Sequence, residues 1–137
     1  MASQVFDVSE LDSFARSMSR TAQSIQKNQK SFLRKEGTKL KTRTVREARK
    51  IGKKSGKYLK SIKRGKVYTY DGALAIRTYS AAPHAHLIEN GHRMVTHDGQ
   101  EVGFVRGYHV FENAGKDFEP QYQRDVEDFL DEEVEQL

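Results

Sequence analysis

The sequence predicts an α+β fold: a long N-terminal helix and a C-terminal helix packed on a small antiparallel sheet of hairpins. Three observations carry this expectation. Apolar residues recur at helical spacing along the first third of the chain and again at its end. Two Asp-Gly pairs, Asp71-Gly72 and Asp98-Gly99, stand between β-prone runs in the middle. Neither proline occurs before position 83, so the first pattern is uninterrupted.

Taken in order, Ser9 followed three residues later by Asp12 reads as a helix start close to a capping box. Leu11, Phe14, Ala15, Met18, Ala22, Ile25, Phe32 and Leu33 then mark an amphipathic helix from about Ser9 to about Glu36. Gly37 is a candidate break, after which Leu40, Thr44, Ala48 and Ile51 carry the helix on to Gly52, with or without a kink. Ser55 can cap a short helical turn bearing Tyr58, Leu59 and Ile62. Lys66–Tyr70 and Ala73–Tyr79 flank Asp71-Gly72 as a hairpin with a type I′ turn. Pro83 suits the first position of a short helix through Leu87 and Ile88, with Gly91 as its stop. Asp98-Gly99 joins Met94–Thr96 to Glu101–Val105 in a second hairpin. Val110, Phe111, Ala114 and Phe118 open the last helix. After a pause near Pro120 it resumes with Val126, Phe129, Leu130, Val134 and Leu137. The 137 residues read as one domain, with a basic helical region at about 9–64, a sheet and short helix at about 65–107, and a C-terminal helical region at about 108–137.

Charge is sorted by position. Seventeen Lys or Arg lie between Lys27 and Lys66 against two acids, Glu36 and Glu47, while nine acids lie between Asp117 and Leu137 against Arg124 alone. The net charge of +5 thus conceals two poles, and such segregation calls for a polyanion, a neighbouring subunit or the chain's own other end as partner. There is no cysteine, which removes disulfides and thiolate metal sites and suits an intracellular or virion setting. No apolar run approaches a membrane span, and the first residues lack the pattern of a signal peptide, so a soluble protein is expected.

Catalytic chemistry finds little support. On a strand His84 and His86 would share a face and could hold a metal with His92 or Glu89, but Pro83 favours a helix, where positions two apart diverge. His86–Asn90 lacks the second histidine of an inverted zinc-protease motif, and a ribonuclease-like pair from His97 and His109 has no supporting residues. Gly52–Tyr58 has three residues between its glycines, Tyr where a phosphate loop needs Ser or Thr, and no strand before it. The expectation is no enzyme, no metal and no cofactor. The competing function is nonspecific DNA binding by residues 27–66, where Tyr58, Tyr68 and Tyr70 interleave with cations; the same cations also suit a solvated helix face.

Three short blocks are more informative. They are Ser55-Gly56-Lys57-Tyr58-Leu59-Lys60-Ser61-Ile62, Ala85-His86-Leu87-Ile88-Glu89-Asn90-Gly91-His92, and Tyr108-His109-Val110-Phe111-Glu112-Asn113-Ala114. In this order and spacing, over roughly positions 10–118, the chain resembles the lambda-like tail-component family of long-tailed bacteriophages, described as tail-completion or neck proteins. The matching positions are Gly56, Leu59, Ser61, Ile62, Ala85, Ile88, Glu89, Gly91, His92, Phe111 and Ala114. His84, Asn90 and His109-Val110-Phe111 depart from that family's usual residues. The resemblance implies a virion structural protein of the head–tail junction. It would assemble as a homo-oligomeric ring beside head-closure or connector, tail-terminator and tail-tube proteins, in the virion and in the host cytoplasm during assembly, with genomic DNA as a passing neighbour. Candidate interface charges are Lys50, Lys53, Lys54 and Lys57 at one pole and Asp128, Asp131, Glu132 and Glu135 at the other. Within the blocks, Leu87 and Ile88 can anchor the short helix, Glu89 can cap or pair with the basic segment, Gly91 permits a sharp exit, and Phe111 and Ala114 can pack the last helix down.

Overall fold

A computed structural model describes residues 7–52 and 56–137. Helix α1 (Ser9–Arg49) is followed by α2 (Gly56–Ser61), strands β1 (Ile62–Arg64), β2 (Tyr68–Tyr70), β3 (Ala73–Ala75) and β4 (Thr78–Ser80), helix α3 (Ala85–Asn90), strands β5 (Gly91–Val95) and β6 (Glu101–Arg106), and helix α4 (Val110–Glu135). The α+β expectation holds: two long helices lie together, and short antiparallel ladders pack at their side.

Helix α1 differs from expectation at both of its punctuation points. Its first N–H is satisfied by Asp7, whose Oδ1 accepts from Ser9 N at 2.9 Å, so Asp7 and not a Ser9–Asp12 box closes the start. That bond holds the Asp7 carboxyl below its ordinary range. Gly37 does not break the helix. It is a buried position where a Cβ would stand 3.0 Å from both Arg64 Cγ and Ile76 Cδ1, so the missing side chain lets the strands approach. The roughly 1 kcal/mol that glycine costs a helix interior is outweighed by that packing. The helix ends at Arg49, and Gly52 follows at φ 112°.

The first hairpin is longer and more broken than the sequence suggests. Tyr68–Tyr70 pairs with Ala73–Ala75 across Asp71 (φ 50°) and Gly72 (φ 80°), the expected type I′ turn. The run Ala73–Tyr79 is not one strand, however: Thr78–Ser80 pairs with Ile62–Arg64 instead. Gly65 N donates to Arg77 O at 2.8 Å, so Lys66 and Val67 stand opposite Ile76 alone, the two-against-one count of a β-bulge. The bulge breaks the ladder at Ile76, whose side chain lies against Gly37. Ile62, expected in the helical turn, is instead the first residue of β1; the Ser55 cap lies outside the described residues.

Pro83 precedes α3 rather than opening it, and Gly91 at φ 82° ends it as expected. The second hairpin starts earlier than predicted, at Gly91, and turns through Asp98-Gly99 with Gly99 at φ 80°. Helix α4 runs through Pro120 without a pause. A proline there removes the donor that would bond Lys116 O, and the helix continues regardless; one residue on, the Asp117 carbonyl accepts an additional bond from Arg43 Nη1 at 3.1 Å. Core side chains Ala48, Tyr58, Ile62 and Val110 meet where α1, α2, β1 and α4 converge.

Candidate assembly surface

The three sequence blocks converge on the start of α4. Ile62 and Val110 are each 1% exposed, and Leu59, Ala85, Ile88 and Phe111 pack around them; Ala114 is fully buried one turn on. Glu89, half-buried on α3, accepts Phe111 N at 2.9 Å through Oε1 and Glu112 N at 3.1 Å through Oε2. These are orphan donors of a helix N-terminus, and a carboxylate there also meets the positive end of the helix dipole. Of the two roles the sequence allowed for Glu89, capping is the one it performs. His109 bridges the gap in the left-handed conformation (φ 51°), its Nδ1 3.1 Å from Glu112 Oε2.

Gly91 and Gly107 make this junction possible. A Cβ on Gly91 would lie 2.3 Å from Val105 O, and one on Gly107 2.4 Å from Glu89 O. Tyr108 N and His109 N donate to Ile88 O and Glu89 O at 2.8 and 3.1 Å, locking the two segments together. Ser61 Oγ donates to Tyr58 O and meets Ser80 Oγ at 2.6 Å, tying α2 to β4. Gly56 and His92 are exposed and take no part in this core.

Tyr58 corrects one expectation. It is 5% exposed, its hydroxyl has no hydrogen-bond partner among the described residues, and burial with the nearby Glu89 charge pushes its pKa up to about 12. It is a core residue and cannot stack on a base; Tyr68 and Tyr70 remain exposed on the first hairpin.

The two charge poles touch along the α1–α4 seam. Arg43 Nη1 lies 2.6 Å from Asp117 Oδ2 and its Nη2 bonds Gln121; Lys39 Nζ lies 2.8 Å from Asp125 Oδ2; Asn28 Nδ2 donates to Glu133 Oε1 at 2.9 Å. These contacts fix the helices antiparallel. Phe32 stacks on Phe129 with ring centroids 4.6 Å apart, and Arg43 sits over the Phe118 ring. Glu36, unremarkable in sequence, is the unusual member: it is 4% exposed, and its Oε2 has no hydrogen-bond partner among the described residues. Burial first, then the adjacent Asp125 carboxylate, push its pKa up to about 7 against the pull of Lys39.

Antiparallel packing also leaves charges unmatched at the two ends. Lys50 pairs with Glu47 on its own helix. Among the described residues, Arg46, Arg49, Lys57, Lys60, Lys63 and Lys66 are exposed and have no ion-pair partner, and neither do Asp128, Asp131, Glu132 and Glu135. Lys53 and Lys54 lie outside the described residues. The acidic cluster sits beside α1 near Asn28, with exposed Lys27 and Lys35 at the same end. Arg46 and Arg49 lie roughly 30 Å away along the helix axis, and β1 with the residues after it carries Lys63 and Lys66 back toward Arg34, whose carbonyl accepts from Arg64. His84, His86, His92 and His97 are exposed, and among the described residues no group of three His, Cys, Asp or Glu is placed to hold a metal ion.

The family whose model matches this chain is described as "Bacteriophage HK97-gp10, putative tail-component", and the match spans residues 12–91, more than half of the sequence. The chain belongs to this tail-component family. It is thus a bacteriophage tail component, which makes it a structural part of the virion that works among other phage structural proteins. The match takes in α1 from Asp12 onward, the first sequence block and the second as far as Gly91, including Glu89, and stops short of His92 and the third block. No curated protein and no solved structure matches the chain. Among the described residues no helix is long and apolar enough to cross a membrane.

Proposed function

We propose that this tail component assembles as a homo-oligomeric ring at the head–tail junction, completing the tail or joining it to the filled head. In such a ring it would contact head-closure or connector, tail-terminator and tail-tube proteins, and its role would be assembly rather than catalysis. The observation that carries the proposal is the pair of unmatched charge poles at opposite ends of one rigid helix pair. A head-to-tail ring sets one surface of a subunit against a different surface of the next, so each acidic end can meet a basic end. Complementary charge of this kind sets register and encounter rate more than affinity. The ion pairs inside the subunit involve Asp117 and Asp125, which leaves Asp128, Asp131, Glu132 and Glu135 for the neighbour's Lys57 and the lysines around it.

Changing those four acids to Lys tests this. The variant is expected to stay folded, because all four side chains lie outside the core, and to be lost from particles when it replaces the normal copy during phage growth. Protein content of purified virions reads the result; incorporation at the normal level overturns the ring-contact reading.

A second reading has a specific observation in its favour, the exposed cations of α1, α2 and β1 beside exposed Tyr70. Nonspecific DNA binding through residues 27–66 predicts tight duplex binding that weakens steeply with salt. Negligible binding in the same titration leaves assembly as the function.

A further inference from the structure

The first half of α1 has an apolar stripe that nothing among the described residues covers. Leu11, Phe14 and Met18 are 67, 61 and 56% exposed. Leu11, Met18, Ile25 and Phe32 recur every seven residues, so the stripe is the continuation of the seam in which Phe32 stacks on Phe129. Helix α4 stops covering it soon after Glu133, which bonds Asn28. Beyond that point Ser9–Ser24 projects as an arm of about 24 Å. Its edges are small or uncharged (Ala15, Ser17, Thr21, Ala22, Ser24), while Asp12, Arg16 and Arg20 lie on the opposite side, with Arg16 and Asp12 paired at 2.8 Å.

A second uncovered strip lies on α4. Val126, Leu130 and Val134 share one face, with Leu137 just past the helix end; Leu130, Val134 and Leu137 are 54, 67 and 78% exposed. This face borders a groove of about 580 Å³ whose lining includes Leu33, Leu74, Tyr122, Val126 and Leu130. The arm of the same chain cannot reach it, because α1 is one unbroken helix pointing away. Two copies cannot bring these α4 strips together either: Val126–Leu137 carries six acids and no base, so like charges would meet. The arm is the occupant that avoids this repulsion: its two acids, Glu10 and Asp12, are balanced by Arg16 and Arg20, so it brings an apolar stripe and no net charge to the acidic face.

We infer that the arm of one copy, through Leu11, Phe14 and Met18, docks on the Val126–Leu130–Val134 face and adjoining groove of a second copy. The inference rests on the oligomeric reading above and deepens it: each copy gives one arm and receives one, so a closed ring covers both helical strips.

The chain contains no cysteine, so engineered pairs report the contact cleanly. Differently tagged full-length Phe14→Cys and Leu130→Cys proteins, both changed at exposed positions, are mixed, oxidised and resolved without reductant. The expected result is a disulfide-linked heterodimer far in excess of either homodimer, reduced about tenfold or more when Met18→Glu is added to the Phe14→Cys protein. A dominant Phe14→Cys homodimer means arms pair with one another and overturns the docking. Absence of the heterodimer also overturns it. Oligomers in sedimentation without that cross-link leave the ring standing on another surface, whereas a chain that stays monomeric and passes the four-lysine virion test fails both readings.

Discussion

The two halves of α1 belong to one helix and both carry apolar residues at helical spacing, yet they do different work. In the C-terminal half Glu36, Gly37, Thr44 and Ala48 are buried, and α4, β1 and the first hairpin cover them. In the N-terminal half Leu11, Phe14 and Met18 are open to solvent. The difference arises from what the rest of the chain can reach: α4 is 26 residues against 41 in α1, and the antiparallel pairing spends that length on the inner half. Periodicity shows that a helix face wants cover. It does not show whether the cover belongs to the same molecule.

The sharpest way to break this contrast is to cut one side chain from each half's packing. Ile62→Ala, beneath the C-terminal half, removes a side chain that is 1% exposed and is expected to lower the unfolding free energy by about 2–4 kcal/mol. Met18→Ala in the arm is expected to change it by less than about 0.5 kcal/mol in dilute protein. Urea denaturation of the two variants checks this, and a large loss for Met18→Ala would mean the arm is already packed in the free protein.

Much of the inner half was legible beforehand. Asp71-Gly72 gave the turn because two adjacent positive φ angles leave few residue choices. Glu89 and Gly91 were marked by the second block, and both sit at the junction that starts α4. Gly37 and Pro120 were misread as interruptions because local propensity is a weak prior: Gly37 is packed against Arg64 and Ile76, and α4 runs through Pro120 as one helix. The bulge at Ile76 had no local signal, since it follows from the way the hairpin meets α1. The interface charges were legible as poles only. The acids named from the sequence, Asp128, Asp131, Glu132 and Glu135, leave out Asp117 and Asp125, but the pairing of those two with Arg43 and Lys39 follows from the antiparallel seam, which no local pattern displays.

A smaller effect probes how α4 is held over the inner half. Glu89→Ala removes both acceptors from the helix start and leaves Phe111 N and Glu112 N unmatched, at an expected cost of about 1–2 kcal/mol. Glu89→Gln keeps one carbonyl acceptor but loses the charge, and should fall between the variant and the native chain. If thermal unfolding places Glu89→Ala level with the native protein, the carboxylate is not the element that fixes α4.

The smallest expected effect sharpens the contrast at its boundary, where α4 reaches Glu36. Unlike Glu89, this carboxylate is buried with one oxygen unmatched and has a pKa of about 7 in the folded chain, above the ordinary 4.5. A raised folded-state pKa means the folded protein holds the proton more tightly than the unfolded chain. The stabilisation that proton confers is complete below about pH 4.5 and is lost as pH rises through 7. Glu36→Gln keeps the shape, cannot ionise, and can donate to Asp125, so it escapes that loss. Lys39 gives up one of its two carboxylate neighbours in exchange, which trims the net gain to about 1 kcal/mol. The variant should therefore melt higher than the native protein at pH 8 and show little difference at pH 5. An equal shift at both pH values would mean that the effect comes from packing and that the unmatched charge at the α1–α4 seam carries no penalty.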